Sequence, residues 1–200
     1  MYPATPQDEL AAVLAQVDCN TARGKRNYAM ILLGVVTGLR AVDVARLKLS
    51  NVDWIRGEIT IVQAKTGKTL VLPLTTDVGE ALKDYILHAR PRGLADNVFL
   101  RNLAPNLPFK DSCSIGNMYD VYRRKAGLAR EAFDGKCFHS LRRALGKNMV
   151  TAGVSVTDVA QVLGQEDIDS AKKYIALDSE HLKECALGLS GIEVTGGFAQ

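Results

Sequence analysis

The sequence has no apolar run long enough to cross a membrane and no cysteines at metal-binding spacing. Its longest apolar stretch, residues 29–36, is well short of the ~20 residues that a membrane helix needs. Cys19, Cys113, Cys137 and Cys185 are far apart, without a C-x-x-C pair or a secretory leader ahead of them. We therefore expect a soluble cytoplasmic protein with reduced thiols, not a membrane protein or a disulfide framework.

The chain also has little excess charge. Its 25 Lys and Arg residues against 22 Asp and Glu give a formal net charge of +3. This balance suits an anionic partner, but many enzymes that act on small molecules share it. The 200 residues and their 47% apolar content suit one well-buried domain. Neither property indicates a function.

Hydrophobic periodicity predicts helices in the first part of the chain. Thr5 as cap and Pro6 in the first turn are typical of a helix start. Residues 28–36 are apolar on every face, which predicts a buried helix that ends at Thr37-Gly38. A shorter helix is expected directly after Arg40.

The middle of the chain changes to a strand pattern. Residues 58–63 and 69–74 are rich in Ile, Val and Leu, and the five residues between them, which include a glycine, predict a β-hairpin with lysines at its tip. Asp77 with Glu80 predicts a capping box for the helix that follows. The fold class is therefore α+β and mainly helical, with an antiparallel hairpin or three-stranded sheet at one edge.

The second half of the chain is predicted to be helical after a long connection. Residues 91–112 contain three prolines and read as a connecting loop, with one short strand at 98–100. Helical spacing resumes from Ile115 to Ala126. Four later helices are predicted: residues 140–152, one capped by Ser155 with Asp158 and stopped by Gly164, one from about Asp167 that carries Tyr174, and residues 180–187.

Two arginines and a histidine lie where helices begin. His139 and Arg142 are three positions apart at a predicted helix start, whose amino end favours an anion such as phosphate; a solvated helix start is the alternative. Arg40 follows a buried helix, so its permanent charge needs a partner. That partner is a bound anion or Asp43, and both fit because a carboxylate can orient a guanidinium.

Lys65 and Tyr174 carry less information on their own. A solvated lysine is the usual finding at a hairpin tip, and a surface tyrosine is the usual finding on a short polar helix. Residues 67–69, Gly-Lys-Thr, match the end of a nucleotide-binding P-loop, but Val62 stands where that motif needs glycine. Strands also flank the turn where a helix should follow. We exclude a nucleotide site here.

Taken together and in this order, the candidate residues resemble the catalytic domain of the tyrosine recombinases, the family of phage integrases and chromosome-dimer resolvases. The resemblance spans residues 37 to 174 and implies the tyrosine-recombinase catalytic fold. The matching strings are Thr37-Gly38-Leu39-Arg40, Lys65-Thr66-Gly67 ahead of Leu72-Pro73-Leu74, His139-Ser140-Leu141-Arg142, Leu163-Gly164, and Tyr174.

The resemblance implies DNA strand transesterification with no metal, nucleotide or other cofactor. Tyr174 attacks the scissile phosphate, forms a 3′-phosphotyrosyl link and frees a 5′-hydroxyl. Arg40 and Arg142 stabilise the negative charge of the transition state. His139 serves as base or relay, because a phenol with a pKa of about 10 is only about one part in a thousand ionised at pH 7. Lys65 protonates the leaving oxygen.

Three positions depart from the family pattern. Gln165 stands where His or Trp is usual, and its amide can donate to a phosphate oxygen but carries no charge. Asp43 replaces the usual Glu, and Arg143 stands where His is frequent. Contacts that position the duplex would come from basic residues, each of which is otherwise a solvated surface charge. The candidates are Lys68, Arg123, Arg124, Lys125, Arg143 and Lys147.

The resemblance also predicts the organisation of the chain and its partners. Residues 1–177 form the catalytic domain, and residues 178–200 form a helix and tail that pack on a neighbouring subunit. Only 39 residues precede Arg40, so the N-terminal core-binding domain of full-length members is expected to be absent. The expected partner is double-stranded DNA, bound by a homotetramer. The segment with Tyr174 is expected to move and to hold the tyrosine away from the arginines before DNA binds.

Two alternative functions stay open. The first is an inert DNA-binding accessory protein, because Gln165 alters the site. The second is a type IB topoisomerase-like enzyme, which uses a similar residue set to relax supercoils.

Overall fold

The structure, a computed structural model, describes residues 6–93, 95–128 and 137–164. This part of the chain forms seven α-helices, a 3-10 turn at Leu49–Asn51 and three short strands. None of these helices is long and apolar enough to cross a membrane. The elements in chain order are α1 (Gln7–Ala15), α2 (Ala22–Thr37), α3 (Ala41–Arg46), β1 (Val52–Asp53), β2 (Glu58–Val62), β3 (Thr69–Pro73), α4 (Thr76–His88), α5 (Cys113–Lys125), α6 (His139–Thr151) and α7 (Val156–Val162).

Helix α2 is the centre of the core. Its start is capped by Thr21, whose side chain accepts a hydrogen bond from the Gly24 N–H at 3.0 Å. Its residues Met30, Ile31 and Leu33 are at most 1% exposed, because α2 packs against α4 on one side and α6 on another. The prediction of a buried helix over residues 28–36 is confirmed, and the helix begins six residues earlier, at Ala22.

The sheet is antiparallel, in the order β1-β2-β3. Ile59 pairs with Leu72 and Ile61 with Leu70, and the alternation of strand side chains turns Ile59 and Ile61 toward the core. The opposite face is open, since Val62 is 66% exposed. The predicted hairpin and small sheet are confirmed.

The predicted capping box at Asp77 and Glu80 is wrong. Helix α4 begins at Thr76, one residue before Asp77, and Thr75 occupies the cap position without a side-chain hydrogen bond. Asp77 therefore lies in the first turn, where its negative charge interacts favourably with the positive end of the helix dipole. The helix ends at His88, before Pro91 as predicted.

The connection between α4 and α5 is anchored at its middle. Residues 98–100 are fully buried, but they form no strand: Asn97 pairs only with Lys48, and Leu100 only with Pro108, as isolated bridges. The predicted strand at 98–100 is therefore wrong. A short apolar run predicts burial more reliably than it predicts strand pairing.

Two arginines hold this connection through backbone carbonyls. Arg26, on α2, donates to the Leu100 carbonyl at 3.0 Å and lies 5.1 Å from the centre of the Phe109 ring. Burial lowers the pKa of Arg26 from its usual value. Arg90 donates to the carbonyls of Ala95 at 2.5 Å and of Asn97 at 2.8 Å.

The last described elements form a smaller cluster beside the core. Val150 on α6 packs with Val159 and Leu163 around α7. The cap of α7 is confirmed, because the Ser155 hydroxyl accepts from the Asp158 N–H at 3.1 Å. Gly164 follows in the left-handed region, with a φ of 59°. The helices predicted from about 167 and at 180–187 lie outside the described residues.

Candidate active site

Arg40 is the last residue of the three-residue link, residues 38–40, between α2 and α3. Gly38, the cap residue after the end of α2, turns the chain with a φ of 63°, and Arg40 is the cap residue before the start of α3. The Arg40 side chain is 17% exposed, and its Nη1 lies 4.0 Å from the Oδ2 of Asp43. Within the described residues, neither of these two buried atoms has a hydrogen-bond partner. A buried donor without a hydrogen-bond partner can donate to a bound anion.

Asp43 connects this link to the hairpin. Its side chain is 1% exposed, and its Oδ1 accepts a hydrogen bond from the Ala64 N–H at 2.8 Å. One carboxylate therefore faces both Arg40 and the residue before Lys65. The two partners predicted for Arg40 were a bound anion and Asp43, and the structure shows the ion pair with Asp43.

Arg142 is buried against the same turn. It is 3% exposed; its Nη1 donates to the Gly38 carbonyl at 3.0 Å, and its Nη2 donates to the Leu163 carbonyl. A β-carbon at position 38 would lie 2.9 Å from methyl groups of Leu145 and Leu163, and the φ of 63° strains any side chain, so glycine is strongly favoured here. The guanidinium is fixed by backbone atoms of two separate motif strings.

His139 differs from Arg142 in its exposure. It is the first residue of α6 and is exposed, whereas Arg142 is buried. Helix α6 is seated on α2 by Phe138, whose ring packs against Gly34 and meets Tyr119 edge-on at a centroid distance of 5.9 Å. The amino end of α6 is thereby held close to the carboxyl end of α2.

The hairpin tip brings Lys65 to the surface near this cluster. Lys65 is exposed. Two backbone hydrogen bonds close the turn that carries it: the Gln63 N–H donates to the Lys68 carbonyl at 2.8 Å, and the Gly67 N–H donates to the Gln63 carbonyl at 2.9 Å. The buried Gln63 side chain donates from Nε2 to the Leu163 carbonyl at 3.1 Å. The tip is therefore tied to the same carbonyl as Arg142.

Four of the five matching strings thus lie in one hydrogen-bonded cluster: those that contain Arg40, Lys65, Arg142 and Leu163-Gly164. Tyr174 and Gln165 lie outside the described residues, as does the segment expected to move. Within the described residues, no group of three or more His, Cys, Asp or Glu side chains is placed to hold a metal ion.

The basic residues proposed for DNA contact fall into two groups. Lys68, Arg124, Lys125 and Lys147 are exposed, and Arg143 is half-buried. Arg123 is only 2% exposed, so in this conformation it cannot act as a surface contact to phosphate. Its position four residues after the buried Tyr119 places it on the inner face of α5, a signal that the run of three basic residues conceals.

Sequence reasoning missed Gln63. The burial of Gln63 could have been predicted from strand alternation, because side chains at every second position, Ile59, Ile61 and Gln63, share one face of the strand. A polar residue on the buried face of a strand needs specific partners. No comparable signal announces the role of the Leu163 carbonyl, since a backbone oxygen is the same in every residue.

Comparison with known proteins decides the family. The family model described as "Phage integrase family" matches residues 4–181. The chain belongs to the phage integrase family. The resemblance read from the motif strings is therefore confirmed, and curated relatives of this phage integrase family member include proteins named as tyrosine recombinases.

Relatives in sequence differ in length. The candidate integrase/recombinase y4rA of Sinorhizobium fredii is 34% identical over 188 residues, which cover 94% of this chain and 45% of that protein. The candidate integrase/recombinase y4gC of the same organism is 31% identical over 193 residues, covering 94% and 96%. Tyrosine recombinase XerC of Anoxybacillus flavithermus is 28% identical, covering 92% and 59%. The chain spans about half of two of these relatives and nearly all of y4gC.

Solved structures share the fold at low sequence identity. The crystal structure of XerA recombinase has a TM-score of 0.74 at 20% identity, over 94% of this chain and 65% of that one. XerH bound to palindromic difH substrate, in a post-cleavage complex, has a TM-score of 0.73 at 20% identity, over 92% and 52%. The lambda integrase catalytic core has 0.61 at 21%, over 82% and 95%. The predicted fold class is confirmed.

Proposed function

We propose that this protein is a site-specific DNA recombinase that cuts and rejoins strands through a 3′-phosphotyrosyl intermediate on Tyr174. One observation carries the proposal. Buried Arg142 is fixed by the carbonyls of Gly38 and Leu163. Gly38 lies two residues before Arg40, whose buried Nη1 has no hydrogen-bond partner within the described residues. Two permanent cations held on rigid backbone suit a bound phosphodiester.

The two arginines account for the chemistry of the phosphate. In the pentavalent transition state the non-bridging oxygens gather negative charge, and preorganised guanidinium groups stabilise that charge without reorganisation. The planar fork of a guanidinium group also matches the geometry of phosphate oxygens. Removal of one such donor typically slows an enzyme by about 10²- to 10³-fold.

Protons are managed by the remaining residues. The Tyr174 oxygen forms a bond to phosphorus while the bond from phosphorus to the 5′-oxygen breaks. His139, exposed at the amino end of α6, takes or relays the phenol proton. Lys65, exposed on the hairpin, gives its proton to the departing 5′-oxygen. Gln165 orients a non-bridging oxygen.

The assembly that we propose is a homotetramer on double-stranded DNA. Residues 1–177 act as the catalytic domain, and residues 178–200 pack on a neighbouring subunit. Support comes from lambda integrase, a relative in fold, which has been solved as a tetramer bound to a Holliday junction. Deletion of residues 178–200 should abolish the tetramer on DNA, measured by light scattering; an unchanged tetramer would refute the packing of this segment on a neighbouring subunit.

The test is a search for the covalent intermediate. Nicked duplexes with a randomised central segment are incubated with the protein, denatured, and examined for a protein–DNA adduct, whose DNA is then sequenced. Tyr174→Phe should abolish the adduct, while Tyr28→Phe, the same change at a half-buried tyrosine of α2, should retain it. Arg142→Lys should slow its formation by about 10²-fold or more, whereas Arg56→Lys, at a side chain that is 76% exposed, should not.

The alternatives give different results in the same assay. No adduct on any sequence would refute the enzymatic proposal and favour an inert DNA-binding protein. Relaxation of supercoiled plasmid without strand exchange between recovered sites would favour a topoisomerase-like activity.

A further inference from the structure

Gln63 places a buried carboxamide directly before the turn that carries Lys65. The residue is 1% exposed, because it continues the inward-facing positions of β2. Buried amides are retained where both of their polar atoms find partners. In Gln63 both atoms do, and the partners belong to different parts of the candidate site.

The two partners fix the orientation of the amide. The Thr66 hydroxyl donates to Oε1 at 2.8 Å, and Nε2 donates to the Leu163 carbonyl at 3.1 Å. The backbone N–H and carbonyl of Gln63 close the same turn through Lys68 and Gly67. All polar groups of this one residue are thus used to shape the loop around Lys65 or to anchor it.

The anchor is shared with the phosphate-binding arginine. The Leu163 carbonyl also accepts from Arg142 Nη2. The approach is close enough that a β-carbon at Gly164 would lie 2.5 Å from Gln63 Oε1. A displacement of the Gln63 side chain therefore shifts the Lys65 loop relative to Arg142.

We infer that Gln63 is a positioning residue, which holds Lys65 at the distance from Arg142 that protonation of the leaving 5′-oxygen requires. This inference rests on the proposed function. In the cleavage step the Tyr174 oxygen binds phosphorus, the bond from phosphorus to the 5′-oxygen breaks, and the Lys65 ammonium gives that oxygen its proton. Gln63 touches none of the reacting atoms and acts through the turn.

A change of leaving group isolates this role. If sulfur replaces the bridging 5′-oxygen, the departing group is a thiolate, which is far less basic than an alkoxide and leaves without a proton. A defect in placing the general acid should then disappear, whereas a defect in phosphate binding or in folding should persist. Lys65→Ala is the reference for the first kind of defect.

The experiment compares oxygen-bridged and sulfur-bridged nicked duplexes of one sequence recovered by adduct formation. Gln63→Met keeps the length of the side chain and removes both hydrogen bonds. It should slow adduct formation on the oxygen duplex by about 10- to 100-fold, as expected for a displacement of about 1 Å, and by less than about threefold on the sulfur duplex. Gln16→Met, the same change at an exposed glutamine, should match the wild type on both.

The outcomes separate the inference from the function on which it rests. An equal loss for Gln63→Met on both duplexes, while Lys65→Ala is rescued by sulfur, would overturn the inference alone. Failure of sulfur to rescue Lys65→Ala would overturn it together with the role of Lys65. No adduct from the wild type would instead refute the proposed function.

A second variant keeps the test available if Gln63→Met does not fold. Thr66→Val, at a half-buried position of the turn, removes the hydroxyl that donates to Gln63 Oε1 at 2.8 Å and accepts a longer hydrogen bond from the Lys68 N–H at 3.4 Å. It should show a smaller defect with the same rescue by sulfur. An oxygen-duplex rate equal to that of the wild type would count against the inference.

Discussion

Replacement of Gly34 by alanine should destabilise the protein, although alanine is the better helix former. A β-carbon at position 34 would lie 2.5 Å from Cζ, 3.0 Å from Cε1 and 3.2 Å from Cε2 of Phe138. Carbon atoms pack best at about 3.5–4.0 Å, so the ring would have to move by about 1 Å. Phe138 is 2% exposed and is held by Tyr119, which leaves little room for this movement.

Two opposing terms set the size of the effect. Glycine to alanine inside a helix gains about 0.5–1 kcal/mol, and overpacking of a filled core costs about 1–3 kcal/mol. We expect Gly34→Ala to lower the free energy of unfolding by about 1 kcal/mol. Gly116→Ala, on α5 with nothing within 4 Å of its added carbon, should raise it by about 0.5–1 kcal/mol.

Urea denaturation followed by circular dichroism measures both variants. Phe138→Leu in the Gly34→Ala background should recover part of the loss, so that the two changes together cost less than their sum. Because the contact seats the helix that carries His139 and Arg142, adduct formation should also slow in Gly34→Ala. A Gly34→Ala protein as stable as Gly116→Ala would refute the close contact of α2 with α6.

Three further outcomes follow from other contacts. Asp43→Asn should slow adduct formation by about 10- to 100-fold, because the guanidinium of Arg40 loses its orienting charge; an unchanged single-turnover rate would exclude that role. Gly164→Ala should lower the free energy of unfolding in urea by about 1–3 kcal/mol, since a φ of 59° disfavours a side chain, and a neutral result would contradict the contact with Gln63. The hydrogen bond from Lys25 lowers the pKa of Asp84. The pair therefore stabilises the folded protein at pH values above the ordinary carboxyl pKa. This stabilisation is lost as the pH falls through the lowered pKa of Asp84. At pH 7 Asp84→Asn should cost about 0.5 kcal/mol, with exposure of the pair taken into account, and urea titrations at acid pH should show no difference from the wild type.

The sequence predicts those elements whose signals are local. The hairpin follows from two β-rich runs around a glycine-containing turn, and the end of α2 follows from a glycine that alone adopts a positive φ easily. The start of α4 is less certain from sequence, because Thr75 and Asp77 are both acceptable near a helix start and only tertiary packing decides between them.

Long-range contacts are what local patterns do not contain. The sequence identifies Arg40, Lys65 and Arg142 as candidates, but the shared Leu163 carbonyl that links Arg142 to the hairpin becomes visible only in three dimensions. The burial of Arg123 is an intermediate case. Its helical spacing from the buried Tyr119 predicts that Arg123 is buried, whereas its charge predicts that it is exposed.

The anchoring of residues 95–100 by Arg26 and Arg90 has a consequence for proteolysis. A protease needs an extended, accessible segment, and residues 98–100 offer none because they are fully buried. Leu103, which is 77% exposed, lies on the accessible side of the connection. A cut there would leave both new ends tied to the core, so the nicked protein should migrate as a single species until it is denatured.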